Sequence, residues 1–332
     1  MGAKAETAVQ NEDNSRHGAT PQQAQALADA TAELPVAEPK EAPHWGVFVG
    51  EATPQQIKDR LAKEISEILG HHHLTHVCPL ALIEPENSID SFDLDKIFSA
   101  LTETNSLKNK DVVLFLLSRG GDAEPAYQIS KICKSFALNR FVAVIPRQAK
   151  SAATLVAIGA DEIHMGLLGQ LGPIDPQIGG LPALGVSQAL KTIASVAQQY
   201  PGSAEMLARY LQLALTVEQI GYCERISESA VQYAERLLST KPNLIPRAAA
   251  IAKELVHEYK DHGFVIDLEE ARQHLGIDWI KTDTPELKAA EAIYSLFKTV
   301  NFFLGLAQSK RLIISGGANL PSSVLLLDTK AR

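Results

Sequence analysis

The segment DVVLFLLS, residues 111–118, is an almost unbroken apolar run of strand length. A strand with one wet face alternates, so a continuous run belongs to a strand covered on both faces, as in a parallel sheet flanked by helices. The neighbouring segments repeat that pattern. VCPLALIE (77–84) and RFVAVIPR (140–147) are further apolar strand candidates, and DEIHMG starts another at residue 161. Between them lie three helix candidates, SFDLDKIFSALTET (91–104), AEPAYQISKICKSFAL (123–138) and SAATLVAIGA (151–160). In the first, Phe92, Ile97 and Leu101 recur at helical spacing behind Ser91 as a cap. Strand, helix and strand in such short succession predict right-handed βαβ units and a mostly parallel sheet.

Upstream, TPQQIKDRLAKEISEILG predicts a helix with Thr53 as N-cap, Pro54 at the first position and Gly70 as the stop. From about residue 185 the chain reads as largely helical, over 187–199, 203–216, 227–239, 246–261, 268–275 and 285–307. RLIIS (311–315) is a late apolar piece, either a strand or a partner contact. Residues 1–43 are rich in Ala, Gln, Glu and Pro and lack large apolar side chains, which predicts a disordered tail. The expected organisation is therefore a tail over 1–43, a folded domain over 44–284, and a helical extension over 285–332 that could serve as an oligomer contact.

Composition excludes several functions. A net charge of −8 offers no electrostatic case for nucleic acid or anionic lipid. Three scattered cysteines, Cys78, Cys133 and Cys223, make neither a disulfide framework nor a zinc site and suggest a reducing compartment. Neither a signal peptide nor an apolar run of about 18 residues is readable, so the expectation is a cytoplasmic protein without a membrane span. The cluster His71, His72, His73 and His76 reads as a polar loop, because consecutive side chains point in different directions. No metal and no cofactor is expected.

Three stretches carry chemistry. SRGGDAEPAY (118–127) places Gly120 and Gly121 between a buried strand and a helix. Glycines there let successive N–H groups face one point, beside a helix N-terminus, which suits an oxyanion or a phosphate. GGD is neither a dinucleotide fingerprint nor a Walker loop, so nucleotide binding and NAD-dependent chemistry are not supported. In PRQAKSAATL (146–155), Ser151 occupies a second strand-to-helix junction. It is either an N-cap or an exposed nucleophile whose neighbour Ala152 lends an N–H to an oxyanion site. In LGPIDPQIGG (171–180), Asp175 is held between prolines, either as a turn former or as a fixed functional carboxylate.

In this order and spacing the three stretches resemble the ClpP/crotonase superfamily, and more closely the serine dehydrogenase proteinase (SDH-type) family of Clp-fold serine proteinases, relatives of signal peptide peptidase SppA. The carrying features are the strand ending in Gly120-Gly121, the segment AKSAATLVAIGADEIHMG and the signature LGPIDPQ. The resemblance covers 77–182 and continues more weakly to about 280, where HGFVIDLEEARQHLGI looks like the family's C-terminal part. It implies an α/β fold with a ClpP/crotonase-like parallel sheet of repeated ββα/βαβ units and a helical C-terminal third. It implies Ser151 as nucleophile and the N–H groups of Gly121 and Ala152 as the oxyanion hole, with Gly120 beside them.

The base stays open. ClpP-like peptidases carry a histidine about 25 residues after the serine, and the matching position here is Asp175. A carboxylate with an ordinary pKa is a poor base for a serine hydroxyl, although burial raises it. His164 in DEIHMG and Lys150 beside the serine are two substitutes. Lys191 is a third, since some SppA-like relatives use a Ser-Lys dyad with the lysine about 40 residues further on. Desolvation would bring its amine toward neutral pKa, with Asp175 orienting it or binding substrate. The expected function is a Clp-fold serine peptidase working through an acyl-enzyme on Ser151. Its expected partners are a peptide or protein substrate, a homo-oligomer (trimer or hexamer), and a separate unfoldase or adaptor, since the chain carries no ATPase motif. The alternatives are a catalytically weak scaffold or peptide-binding module and an acyl-CoA enzyme of crotonase type.

Overall fold

The computed structural model describes residues 45–103, 109–178 and 181–329. The tail expected over 1–43 lies outside the described residues. The described residues open with two helices, α1 (Trp45–Glu51) and α2 (Pro54–His71). At the start of α2, the Thr53 side chain accepts from the Gln56 N–H while the Gln56 side chain accepts from the Thr53 N–H. This reciprocal capping box satisfies two otherwise orphaned donors.

Alternation of strand and helix follows: β1 (Cys78–Glu84), α3 (Ser91–Glu103), β2 (Val112–Ser118), α4 (Ala123–Phe136), β3 (Phe141–Ile145), β4 (Gln148–Ala149), α5 (Ala152–Ile158) and β5 (Glu162–Met165). Short strands β6 (Gln170–Leu171), β7 (Gln177–Ile178) and β8 (Leu181–Pro182) lead into the helices α6 (Ala183–Gln199), α7 (Ala204–Ala214), α8 (Val217–Leu238), α9 (Ala248–His257) and α10 (Leu268–Leu275). Strand β9 (Ile280–Lys281), helix α11 (Pro285–Gln308) and strands β10 (Lys310–Gly317) and β11 (Val324–Asp328) complete the chain. The main sheet runs in the order β11-β10-β1-β2-β3-β5-β9, and β4 joins it through β2 and carries β6. Strands β1, β2, β3, β5 and β9 are parallel, as the continuous apolar runs predict, whereas β10 and β11 are antiparallel additions.

All seven residues of β1 and all seven of β2 are buried. Successive side chains leave a strand on opposite faces, so each strand feeds two cores. Leu80, Leu82, Leu114 and Leu116 pack with Ile97 of α3, Ile129 of α4, Leu155 of α5 and Leu237 of α8. Ala81, Ile83, Val113 and Phe115 pack on the other face with Val49 of α1, Leu61 of α2 and Phe297 of α11. The molecule is thus an α/β sandwich with a mostly parallel central sheet between two helical layers.

One expectation needs correction. Residues from 285 onward are not a helical extension alone, because RLIIS forms the centre of β10, paired directly with β1. Ile314 is fully buried in the core shared with Phe115 and Phe297. A short apolar run after a long helix does not reveal which sheet edge it will join, and only the free edge of β1 decides that. Truncating Ile314 to Ala is therefore expected to lower the stability of the whole sheet by about 2–5 kcal/mol, seen as one cooperative thermal transition at lower temperature. An unchanged main transition would mean that the two C-terminal strands fold apart from the rest.

Candidate active site

The site forms where the β2 ladder changes partner. Strand β3 pairs with β2 up to Phe115 and Val144, and then β4 takes over with the single pair Ser118 and Ala149. This shift brings the end of β4 beside the Gly120-Gly121 turn that follows β2. Ser151 lies between β4 and α5, with backbone angles φ +53° and ψ −123°. A residue with a side chain rarely occupies that region, and holding it there costs on the order of 1–3 kcal/mol. The turn swings the chain sharply from strand into helix, and the Ser151 hydroxyl makes no capping hydrogen bond. The ordinary role of a serine at a helix start therefore does not account for it.

Gly120 explains why the turn fits. At its φ of +111°, a Cβ would stand 2.6 Å from Ser151 Cβ and 2.7 Å from the Lys150 carbonyl oxygen. Gly121 has a φ of +154°, and a Cβ on it would overlap the Ile89 backbone. Ile89 clamps this turn, donating its N–H to the Gly120 carbonyl at 2.9 Å and accepting from the Asp122 N–H at 2.8 Å. Among the described residues no acceptor takes the N–H of Gly121 or of Ala152. Both residues line the same cleft of about 910 Å³ as Ser151, so two unspent donors border the space beside the serine.

Asp175 is buried between Ile174 and Pro176, which line the cleft, and its partner is a residue that the sequence reading did not identify. His262, in the loop between α9 and α10, places Nδ1 2.7 Å from Asp175 Oδ1 and lines the cleft with Ser151. The other carboxylate oxygen accepts from Gln177 Nε2 at 2.8 Å. Because Asp175 Oδ1 takes the Nδ1 proton, the imidazole is held in the tautomer whose Nε2 is a free acceptor. The only sequence signal was the stretch beginning HGFVIDLEE, noted as family-like and given no role, since more than 100 residues separate His262 from Ser151.

The two neighbours of Ser151 fix these partners. Lys150 sends Nζ to the Gly263 carbonyl at 2.7 Å and the Phe264 carbonyl at 3.0 Å, pinning the loop that carries His262. Burial lowers the pKa of this amine, and nearby Asp261 opposes the shift. Thr154, fully buried on α5, accepts from the Gly172 N–H at 3.1 Å, and its hydroxyl proton has the Ala149 and Gly172 carbonyls within reach at 2.7 and 2.8 Å. That pair fixes the segment leading to Asp175. A further tie runs between Leu171 and Ile266, which exchange both backbone hydrogen bonds at 2.9 and 3.1 Å.

The other candidate bases lie elsewhere. Lys191 is exposed on α6 and is not among the residues lining the cleft. His164 is buried in β5, bonded through Nε2 to Glu162 at 3.0 Å and through Nδ1 to Thr284 at 2.9 Å. Burial lowers its pKa, and it too is absent from the cleft wall. The described residues contain no group of three or more His, Cys, Asp or Glu side chains placed to hold a metal ion. No helix among them is long and apolar enough to cross a membrane.

Comparison with known proteins adds a family. A family model described as ClpP-like SDH-type serine proteinase matches residues 85–299, more than half of the chain. Two uncharacterized proteins of Methanocaldococcus jannaschii are similar, one 29% identical over 179 residues and one 26% identical over 193. These matches cover 54% and 58% of this chain, and the chain spans only 56% and 59% of the relatives' own lengths. Among solved structures, a lysine-to-alanine mutant of the 1510-N membrane-bound stomatin-specific protease in complex with a substrate peptide is 16% identical. It overlaps 77% of this chain and 89% of its own with a TM-score of 0.40. ClpP1 from Listeria monocytogenes is 14% identical over 65% of this chain and 98% of its own, with a TM-score of 0.38.

The packing of Gly120 on Ser151 makes a direct prediction. Gly120→Ala is expected to cost about 1–3 kcal/mol, from the strained φ and the collision with Ser151. The measurement is the urea midpoint, alongside Gly50→Ala at a helical glycine with nothing within 4 Å, which is expected not to lower it. Equal midpoints for the two variants would remove the close approach from the account.

Proposed function

The chain belongs to the ClpP-like SDH-type serine proteinase family, and on that premise we propose that it is a serine peptidase with a Ser151–His262–Asp175 triad. One observation carries the reading. Ser151, held in a left-handed turn with no capping bond, shares a cleft with a histidine whose Nδ1 is 2.7 Å from a buried carboxylate. In the reaction, His262 Nε2 removes the Ser151 proton as Oγ attacks the scissile carbonyl. Asp175 holds the imidazole in the required tautomer and stabilises the imidazolium that forms. The tetrahedral oxyanion is received by the N–H groups of Gly121 and Ala152. His262 then returns the proton to the leaving amine; in the second half it takes a proton from the water that attacks the acyl carbonyl and gives it to Ser151 Oγ as the acid product departs.

The cleft sits at the C-terminal ends of the parallel strands, where open α/β sheets bind ligands. Its lining mixes apolar side chains, Ile174, Pro176, Tyr222 and Ile226, with polar ones, Asn87, Ser88 and Asp122. A mixed lining of this kind suits an extended peptide with alternating contacts. The substrate class we propose is accordingly a peptide or protein segment. We further propose a homo-oligomer, trimer or hexamer, acting in the cytoplasm, with an unfoldase or adaptor needed for folded substrates. Lys191 has no part in this mechanism.

Labelling with a fluorophosphonate probe tests the reading. The wild type is expected to label at one site, and Ser151→Ala not at all. His262→Ala should slow labelling by about 10²–10⁴-fold, the usual contribution of a general base. Asp175→Asn should slow it by a smaller factor, and Lys191→Ala should leave it unchanged. A folded wild type that never labels would overturn the peptidase reading in favour of a peptide-binding scaffold. Loss of labelling in Lys191→Ala with His262→Ala unaffected would move the base to the lysine.

A further inference from the structure

Behind the Gly120-Gly121 turn, on the side away from the cleft, lies a buried carboxyl pair that the proposed mechanism leaves unused. Glu84 closes β1 and is 1% exposed, and Asp93, in the first turn of α3, is 4% exposed. Glu84 Oε1 is 3.2 Å from Ser118 Oγ, the last residue of β2. The same hydroxyl accepts from the Gly120 N–H at 3.0 Å. Because it accepts from Gly120, its own proton is directed to Glu84, the nearer of its two acceptors. The alternative, the Gly120 carbonyl, is 3.5 Å away and already bonded to Ile89 N–H. Asp93 accepts from Ser315 Oγ on β10 at 2.7 Å and from the Asp90 N–H at 3.2 Å, and its carboxyl also lies within hydrogen-bonding reach of Glu84.

We infer that Glu84 is a positioning residue for the oxyanion site: through Ser118 it fixes Gly120 and so the direction of the Gly121 N–H. The inference rests on the reading of Gly121 as an oxyanion donor. Three elements converge on this chain of contacts. Ser118 reaches Glu84 through its hydroxyl, Gly120 through the same oxygen, and the nucleophile strand through its carbonyl, which accepts the Lys150 N–H at 3.1 Å. Gly120 alone cannot hold the turn, since a glycine at φ +111° has no side chain to restrict it. Burial, with Asp93 and Asp90 adding like charge, pushes the Glu84 pKa up to about 8, against the smaller opposing pull of the Ser118 bond. The shift favours the acid form, and glutamine keeps the side chain's length and an oxygen that can accept from the Ser118 hydroxyl.

The test uses the full chain and a fluorophosphonate probe, whose reaction with serine builds negative charge on the phosphoryl oxygen. The reversible binding constant of the probe and the rate of the bond-forming step are read separately. Glu84→Ala is expected to slow the bond-forming step about 10- to 100-fold, the size of effect a small misplacement produces, with probe binding unchanged. Ser118→Ala should do the same, and the double variant should be no slower than either, because both break one chain of contacts. Glu84→Gln should keep the rate within about threefold of wild type. Hydrogen exchange of the peptide spanning 118–123, measured by mass spectrometry, gives a second readout that does not need a reactive serine. It should speed up in Glu84→Ala and not in Glu84→Gln. A folded Glu84→Ala variant with wild-type rate and wild-type exchange overturns the inference. So does a Glu84→Gln variant as slow as Glu84→Ala, since glutamine retains an acceptor for the Ser118 hydroxyl. A wild type that fails to label while its exchange responds to Glu84→Ala would instead count against the peptidase reading and leave the positioning role standing.

Discussion

The whole arrangement depends on the contact between Gly120 and the Ser151 turn. The left-handed backbone at Ser151 is unfavourable by itself and needs neighbours that define it more tightly than it can relax. Gly120 supplies the room, because any side chain there would meet Ser151 Cβ and the Lys150 carbonyl. Once those two backbones touch, the Gly121 and Ala152 N–H groups border the same space. The turn is stiffened from behind by Ile89 and by the Ser118 hydroxyl, both rooted in the most deeply buried part of the sheet.

From this contact outward, the site is assembled through the residues on either side of the serine. Lys150 holds the loop of His262 and Thr154 holds the segment of Asp175. A small displacement of the serine turn would therefore move all three proposed reacting groups together, which preserves their relative placement. Lys150 illustrates how a residue next to a nucleophile can matter without taking a proton. Its amine is spent on two backbone carbonyls, and its charge is balanced by Asp261.

Much of the fold was legible because burial on both faces leaves a plain trace. LFLL in β2 and FVAVI in β3 have no polar positions, and they occupy the middle of the parallel sheet. Thr53 and Pro54 announced the start of α2 through local hydrogen bonding that needs no tertiary context. The late strand β10 was harder, since three apolar residues, Leu312 to Ile314, after a 24-residue helix do not say which sheet edge awaits them. At the site, Ser151, Gly120, Gly121, Ala152 and Asp175 all stood out, because turn chemistry and glycine requirements are local. Their partners did not.

The sequence by itself therefore determined the strand-helix alternation, the two glycine and serine turns, and an aspartate in a rigid segment between prolines. These depend on side-chain size, backbone freedom and periodicity, which act over a few residues. Only the tertiary structure decided that the aspartate faces His262 rather than Lys191, that His164 is tied to Glu162 and Thr284, and that Glu84 stands behind the oxyanion turn. Each of those pairings joins positions that no periodicity links. They are set by where the loop after α9 and the end of β1 come to rest against the sheet, and by the hydrogen bonds that buried polar groups must find there.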